Sequence, residues 1–245
     1  MTNLPVFLQN PSTKEILNQI TSLIPMGTKV YLFGGAVRNA LYYNHFNEEM
    51  TQRDFDCIVI GDGEKFADNL FSNNFIYGNK NTEKAKVLKM GRISSPVHQY
   101  DDWLYLDCKI YPSNESIEDI LKRISDFTIS GVALDIKNIE APDWYNKIIA
   151  IPNAIEDIQQ KRLGVVKPYA ISLHKIIRMV SRGFQKPPQE EIDKCIEKLK
   201  DISEDKFVIN TEKTIRYVGS KEKVAEIAQE LGITHNILNF EQIKG

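Results

Sequence analysis

The chain has little cysteine, no excess of either charge and no long apolar run, and each shortage closes a class of function. Its three cysteines, Cys57, Cys108 and Cys195, are too few and too scattered for a disulfide framework or a paired-cysteine zinc site. They read as packing residues in a reduced, cytoplasmic setting. Formal net charge is −2 over 245 residues, so nothing draws the whole molecule to nucleic acid, and any basic footprint has to be local. The opening "MTNLPVFLQNPSTK" has neither the basic start nor the apolar core of a signal peptide, and no stretch has the length of a membrane-spanning helix. His45, His98, His174 and His235 are dispersed without ligand spacing. Internal repeats and low-complexity tracts are missing as well. What remains is 42% hydrophobic and 26% charged, an ordinary globular chain long enough for one or two domains.

The order of elements is more informative. Ser12 followed by Glu15 has the pattern of a capping box, and Ile16, Leu17, Ile20, Leu23 and Ile24 line one face of a first helix. "TKVYLF" predicts a strand, "AVRNALYY" a short helix and "FDCIVI" a second strand. A helix over "GEKFADNLF", strands over "AKVLKM" and "WLYLDCKIY", and a helix over "SIEDILKRI" capped by Ser116 follow. This alternation predicts an α/β (α+β) sheet domain over residues 1–140. Residues 141–186 read as a helical neck: from Ile158 to Gln189 there is no acidic residue, whereas Lys161, Arg162, Lys167, Lys175, Arg178, Arg182 and Lys186 are basic. Residues 187–245 form a short helical C-terminal region, with Ile192, Cys195, Ile196, Leu199 and Ile202 in line after Pro187-Pro188 and a last helix near "KVAEIAQEL".

Strand alternation places Asp54 and Asp56 on one face and Phe55 and Cys57 on the other. Two carboxylates so close repel, and a divalent cation is a ready compensation: Mg²⁺ takes a few carboxylates and completes its octahedron with water and phosphate oxygens. An Asp-x-Asp pair alone is weak evidence, since an exposed strand carries such pairs by chance. "FGGAVRN" adds to it. Gly34-Gly35 between strand and helix lets backbone N–H groups approach a phosphate, the helix start adds positive potential, and Arg38 lies in its first turns. Asp107 in "YLDCKIY" would flank the first pair if its strand lies alongside, and Lys109 shares its face while Cys108 turns inward.

Taken together, "GGAVRNAL" and "RDFDCIVIG" resemble the signature of the polymerase-β-like nucleotidyltransferases, and more narrowly the head of CCA-adding enzymes and bacterial poly(A) polymerases. "LYLDCKIY" falls where that family carries its third carboxylate, "ISDFTISGVALDIK" resembles its RRDFTINALAYD stretch, and "HKIIRMVSRGF" is similar to its arginine-bearing neck helix. The resemblance runs from about Val30 to Phe184. It implies a mixed sheet with helices on one side, a head-and-neck arrangement, and Mg²⁺-dependent nucleotidyl transfer from an NTP by two ions, with Mn²⁺ able to substitute. It further implies that Gly34, Gly35 and Arg38 hold the triphosphate, that Asp54, Asp56 and Asp107 are the metal-binding catalytic acids, and that Asp126 stands for the DFT aspartate.

Departures from the pattern shape the functional reading. Asn39 replaces an aspartate, Ile124 and Ser125 replace the paired arginines before DFT, Ser130 an asparagine and Gly131 an alanine; Arg123, one step away, is the candidate substitute for the lost pair. The EDxxR element that reads the base in CCA-adding enzymes is missing, and Pro168, Tyr169 and Ser172 occupy that stretch. No counterpart of the long tRNA-gripping helical body follows. The leading expectation is a nucleotidyltransferase acting on an RNA 3′ end, with Lys109, Arg123 and Tyr169 as further nucleotide contacts and Lys175, Arg178 and Arg182 tracking the phosphate backbone. A solvated basic helix face would look the same in sequence. Two alternatives stay open: transfer to a protein or small-molecule hydroxyl, and an inactive homologue that keeps the fold and binds RNA or nucleotide.

Overall fold

The computed structural model describes residues 4–50, 54–73, 75–82, 85–93 and 103–233, with side chains at all of these except Asp54 and positions 76–82, 85–93 and 103–105. His98 and His235 lie outside the described residues. The chain divides into two compact units. The first comprises the described residues up to Ile124 together with Ile129–Ile158; the second comprises Ser125–Thr128 and the described residues from Gln159 onward.

The first unit is built on a seven-stranded sheet: β1 (Lys29–Phe33), β2 (Asp54–Ile60), β3 (Ile76–Thr82), β4 (Ala85–Ile93), β5 (Trp103–Tyr111), β6 (Val132–Asp135) and β7 (Ile149–Ala150), in the order β3-β4-β5-β2-β1-β6-β7. Only β2 and β5 run parallel; every other neighbouring pair is antiparallel. A parallel pair needs a long crossover, which here contains a helix and the β3–β4 hairpin. The mixed sheet expected from sequence is present, with three strands, β3, β6 and β7, that the sequence pattern did not mark.

The α-helices described with the sheet in this unit are α1 (Pro11–Ser22), α2 (Gly35–Phe46), α3 (Gly63–Phe71) and α4 (Ile117–Ile124); α5 (Ala154–Gln159) is where the chain leaves this unit. Helix α1 starts differently from expectation. Its cap is Asn10, whose side chain accepts from the Thr13 N–H at 3.0 Å, with Pro11 in the first helical position. Proline has no N–H to satisfy there, so the earlier start is favoured over a box built on Ser12. Ser116 caps α4 as predicted, accepting from the Asp119 N–H at 3.1 Å.

One sheet face is apolar and covered: Val30, Leu32, Phe55, Cys57, Val59, Leu106, Cys108, Val132 and Leu134 are buried. Phe7 meets Phe55 edge-on at 5.5 Å, and α3 approaches so closely that a Cβ on Gly63 would lie 2.5 Å from Ile110. Cys57 and Cys108 sit opposite each other in the β2–β5 register, fully buried, and burial pushes the Cys57 thiol up. They are packing residues, as the alternation indicated. Covering this face stabilises the unit by roughly 1.5–3 kcal/mol for each large aliphatic side chain removed from water.

The second unit is helical: α6 (Ser172–Val180), α7 (Gln189–Glu197), α8 (Glu204–Val218) and α9 (Lys221–Glu230), with α6 packed against the other three. At its centre His174 is fully buried, with its ring 4.4 Å from Phe207. The Thr211 hydroxyl donates to the Phe207 carbonyl at 3.1 Å, so its oxygen accepts from His174 Nε2–H at 2.8 Å. Nδ1 is therefore the bare nitrogen, and it is buried without a hydrogen-bond partner.

Burial, reinforced by the Arg178 charge, pushes His174 down to about 3. Below its ordinary pKa of 6.5 the unfolded histidine takes a proton that the native one refuses, so stability is full above 6.5 and is lost as pH falls toward about 3. The expected slope between pH 6 and 5 is about 1 kcal/mol per unit. Thermal melts of the wild type and His174→Gln over that range check this; equal slopes in both would exclude His174 as the cause.

Candidate active site

The register of three neighbouring strands builds the site. Asp56 on β2 stands opposite Asp107 on the parallel strand β5 and opposite Phe33 on β1. Adjacent strands lie about 4.8 Å apart, so the two carboxylates emerge side by side on the face opposite the cysteines. Both are half-buried. Asp54 stands two residues earlier on β2, opposite Tyr105; its side chain lies outside the described residues. Among the described residues no cluster of three or more His, Cys, Asp or Glu forms. The donors that are described, two half-buried carboxylates on paired strands, are of the hard oxygen type that suits Mg²⁺.

Phe33, the residue opposite Asp56, is also the last residue before the turn into α2. Gly34 has φ 63° and ψ −121°, a conformation that side chains disfavour, and its N–H donates to Val132 O at 3.0 Å. Glycine is required there by the backbone. Gly35 opens α2, whose first-turn N–H groups have no acceptor within the helix and so suit an anion. The Arg38 N–H closes the first helical bond to Gly34 O at 2.9 Å.

Asn39 shows what the departure from aspartate does. Its buried side chain accepts from Arg38 Nε at 3.2 Å and Nη2 at 2.9 Å, so the amide oxygen orients the guanidinium. An aspartate there would add charge to the same geometry. Lys109 stands two residues beyond Asp107 on the same face, its Nζ 5.0 Å from the centre of the Phe33 ring. Gly131 likewise suits its surroundings: a Cβ there would come 2.4 Å from Ile151 Cδ1, so isoleucine fills the space that an alanine at 131 would need. Arg123 is exposed, ion-paired with Glu115 and 5.4 Å from the Tyr111 ring, and the Glu115 hydrogen bond raises its pKa. A pocket of about 260 Å³ in this unit opens at the other end of β1 and β2, beside Lys29, Tyr31, Ile60 and Glu118, away from the acids.

The remaining predicted residues belong to the second unit. Asp126 is buried; its carboxylate accepts from Phe127 N–H at 3.1 Å and pairs with Lys175. Arg178 and Arg182 lie 5.6 and 4.3 Å from the Tyr217 ring of α8, and Arg178 Nε donates to His174 O. Tyr169 is 48% exposed, which keeps its ring open to a partner. Ser172 is buried, and its oxygen accepts from the Tyr169 N–H at 3.3 Å. Ser125, which stands where the resembled pattern carries an arginine, is buried with no partner for its hydroxyl. Sequence reasoning missed Asn39 as an orienting group and Glu191, which accepts from the Val165 N–H at 2.9 Å. The first carries a signal, a short amide beside the arginine that follows the Gly-Gly turn; the second is 26 residues away from its partner and carries none.

Two comparisons, with protein-family models and with curated proteins, give no match. Solved structures do. The chain is similar to Thermotoga maritima CCA-adding enzyme complexed with tRNA-CCA, with TM-score 0.66 and 18% identity over 94% of this chain and 54% of that one. It is similar to Bacillus stearothermophilus CCA-adding enzyme in complex with CTP, with TM-score 0.62 and 21% identity over 92% and 54%. The fold is that of CCA-adding enzymes. This chain spans a little over half the length of those two proteins.

The Arg38–Asn39 contact makes a direct test of the turn. Asn39→Ala should lower stability by about 1–2 kcal/mol and weaken ATP binding several-fold, whereas Asn39→Asp should keep both. Calorimetric titration with ATP checks this, and an Arg38→Ala variant that binds ATP like the wild type would separate Arg38 from phosphate binding.

Proposed function

We propose that the protein is a Mg²⁺-dependent nucleotidyltransferase that moves a nucleoside monophosphate from an NTP to an acceptor hydroxyl and releases pyrophosphate, with an RNA 3′ end as acceptor. The observation that carries this reading is the row formed by Asp107, Asp56 and Phe33, with the Gly34-Gly35 turn one residue further on. Carboxylates and an anion-seeking helix start converge there, as in-line phosphoryl chemistry requires. The acceptor assignment is supported by the acid-free stretch from Ile158 to Gln189, and by a structural neighbour that is a complex with tRNA.

Asp56 and Asp107, with Asp54 beside them in β2, are the residues that would hold the metal. Bound there, two Mg²⁺ ions would neutralise the attacking and leaving oxygens. The first N–H groups of α2 and the Arg38 guanidinium, aimed by Asn39, bind and orient the triphosphate. Asp107 is the acid placed to accept the proton of the incoming hydroxyl. Lys109 adds a fixed positive charge on the same face. Catalysis would be positioning and electrostatics, with no covalent intermediate on the chain. In the second unit Tyr169 offers a face for a base, Asp126 supports it, and Lys175, Arg178 and Arg182 carry charge for phosphates; Arg123 contributes charge from its exposed position on α4.

Incubation of the protein with each labelled NTP, Mg²⁺ or Mn²⁺, and total RNA tests the reading. Label on RNA supports it; label on protein or a small molecule moves the acceptor; no transfer marks an inactive binding homologue. Asp56→Ala should cut transfer by at least about a hundredfold. It should leave the melting temperature equal or higher, because a repulsive pair is relieved. Wild-type melting that does not shift with Mg²⁺ and NTP would count against the metal assignment.

Nucleotide choice gives a further test. A stacking ring reads a π-face common to all bases, whereas discrimination needs polar groups matched to a base edge. Ser172 is already bonded to the Tyr169 N–H and buried, so it has no free edge to offer. The protein should therefore add one nucleotide type, or several without order, to a tRNA lacking its 3′ end. Sequencing the products made with CTP and ATP together checks this; faithful C-C-A addition that stops after adenosine would overturn it.

A further inference from the structure

The segment Gly164–Tyr169 is held more firmly than an exposed loop needs. Each of its N–H groups has an acceptor: Gly164 donates to Thr128 Oγ1 at 3.3 Å, Val165 to Glu191 Oε2 at 2.9 Å, and Val166 and Lys167 to Asp126 O at 2.8 and 3.2 Å. Pro168 has no N–H, and Tyr169 donates to Ser172 Oγ at 3.3 Å. Phe127 and Val165 form a β-bridge, and Thr128 N–H donates to Gly164 O at 2.9 Å. Helix α7 holds the segment near its start, where Glu191 accepts from Val165, and the Cys195 thiol, four residues on along the same helix, is buried.

What this frame displays is apolar. Val166 and Tyr169 are 37% and 48% exposed, two of the three large hydrophobic side chains exposed among the described residues of the second unit. An aromatic ring fixed on a fully bonded backbone, within a stretch that has seven basic and no acidic residues, has the composition of a stacking site for single-stranded nucleic acid. Lys175, one helical turn beyond Ser172 and anchored on Asp126, adds an ammonium to the same support.

We infer that Gly164–Tyr169 is a pre-organised platform on which Tyr169, flanked by Val166, stacks a base of the RNA strand, and that Glu191 is a positioning residue holding it in place. The inference rests on RNA being the acceptor. Pre-organisation matters because an ordered platform loses less freedom on binding, so a tether that never touches RNA still sets affinity.

The full-length protein is titrated into a labelled single-stranded RNA of about ten nucleotides, and separately with ATP. Tyr169→Ala should weaken RNA binding about tenfold, the range of one lost stacking contact. Glu191→Ala should weaken it several-fold, Glu191→Gln, which keeps an acceptor for the Val165 N–H, should restore it, and Glu191→Ala added to Tyr169→Ala should do nothing more. ATP affinity, set mainly by the triphosphate contacts of Arg38 and the start of α2, should fall less than RNA affinity in all of them. Wild-type RNA affinity in Glu191→Ala alone overturns the positioning role, and in Tyr169→Ala the platform itself. Loss of ATP affinity with RNA affinity intact overturns the choice of RNA as the source of the base. A wild type that binds no RNA removes the acceptor reading, and the inference falls with it.

Discussion

The β2–β5 pairing is the constraint on which the first unit depends. Because these strands run parallel and in register, Asp56 meets Asp107 on one face and Cys57 meets Cys108 on the other. A shift of one residue would bury two carboxylates and expose two thiols, so the covered face fixes the register, and with it the separation of the acids. The charge repulsion between Asp56 and Asp107 is thus maintained by hydrophobic burial on the opposite side of the same strands. Strand β1 completes the arrangement by ending at Phe33, opposite Asp56, so that the turn at Gly34 starts level with the acids. The site is a consequence of where three strands stop and start.

Much of this was legible in the sequence, because the strands with two-residue periodicity and the Gly-Gly turn are local signals. Asp56, Asp107, Gly34 and Arg38 fall where their strands and helix were expected. The parallel pairing was not legible, since alternation fixes which residues share a face of one strand and says nothing about its neighbour. Strands β6 and β7 are four and two residues long, too short for a period to appear. Helix α8 was missed for a different reason: its buried side includes Thr211 and Thr214 beside Phe207, so threonines stand where an apolar stripe would have announced a helix. Membership of Ser125–Thr128 in the second unit rests on bonds to residues 164–167, a long-range fact without a local trace.

The basic residues of the second unit illustrate how a charge run acquires structure. Arg178 on α6 and Arg182, two residues past its end, both lie over the Tyr217 ring, which orders their long side chains while keeping their charge. Lys175 is ordered by a carboxylate instead, and gives up part of its field to Asp126. The three are therefore unequal: the two arginines are held by a neutral ring, and the lysine by an opposite charge.

Packing also accounts for the residue just before Asp126. Position 125 is 3% exposed and offers no partner even to the serine hydroxyl that occupies it. A guanidinium there would bring five donors and a full charge into a place without acceptors, a far larger penalty than one unpaired hydroxyl. In this chain the residue before Asp126 belongs to the support of the second unit, and Asp126 follows suit, with its carbonyl on Val166 and Lys167 and its carboxylate on Lys175. A motif that resembles a nucleotide-binding element in sequence is, in this fold, also the brace of the loop that carries Tyr169. The side chain at position 125 makes no bond in that brace, which is built by Asp126 and Thr128 together with Phe127, Glu191 and Ser172.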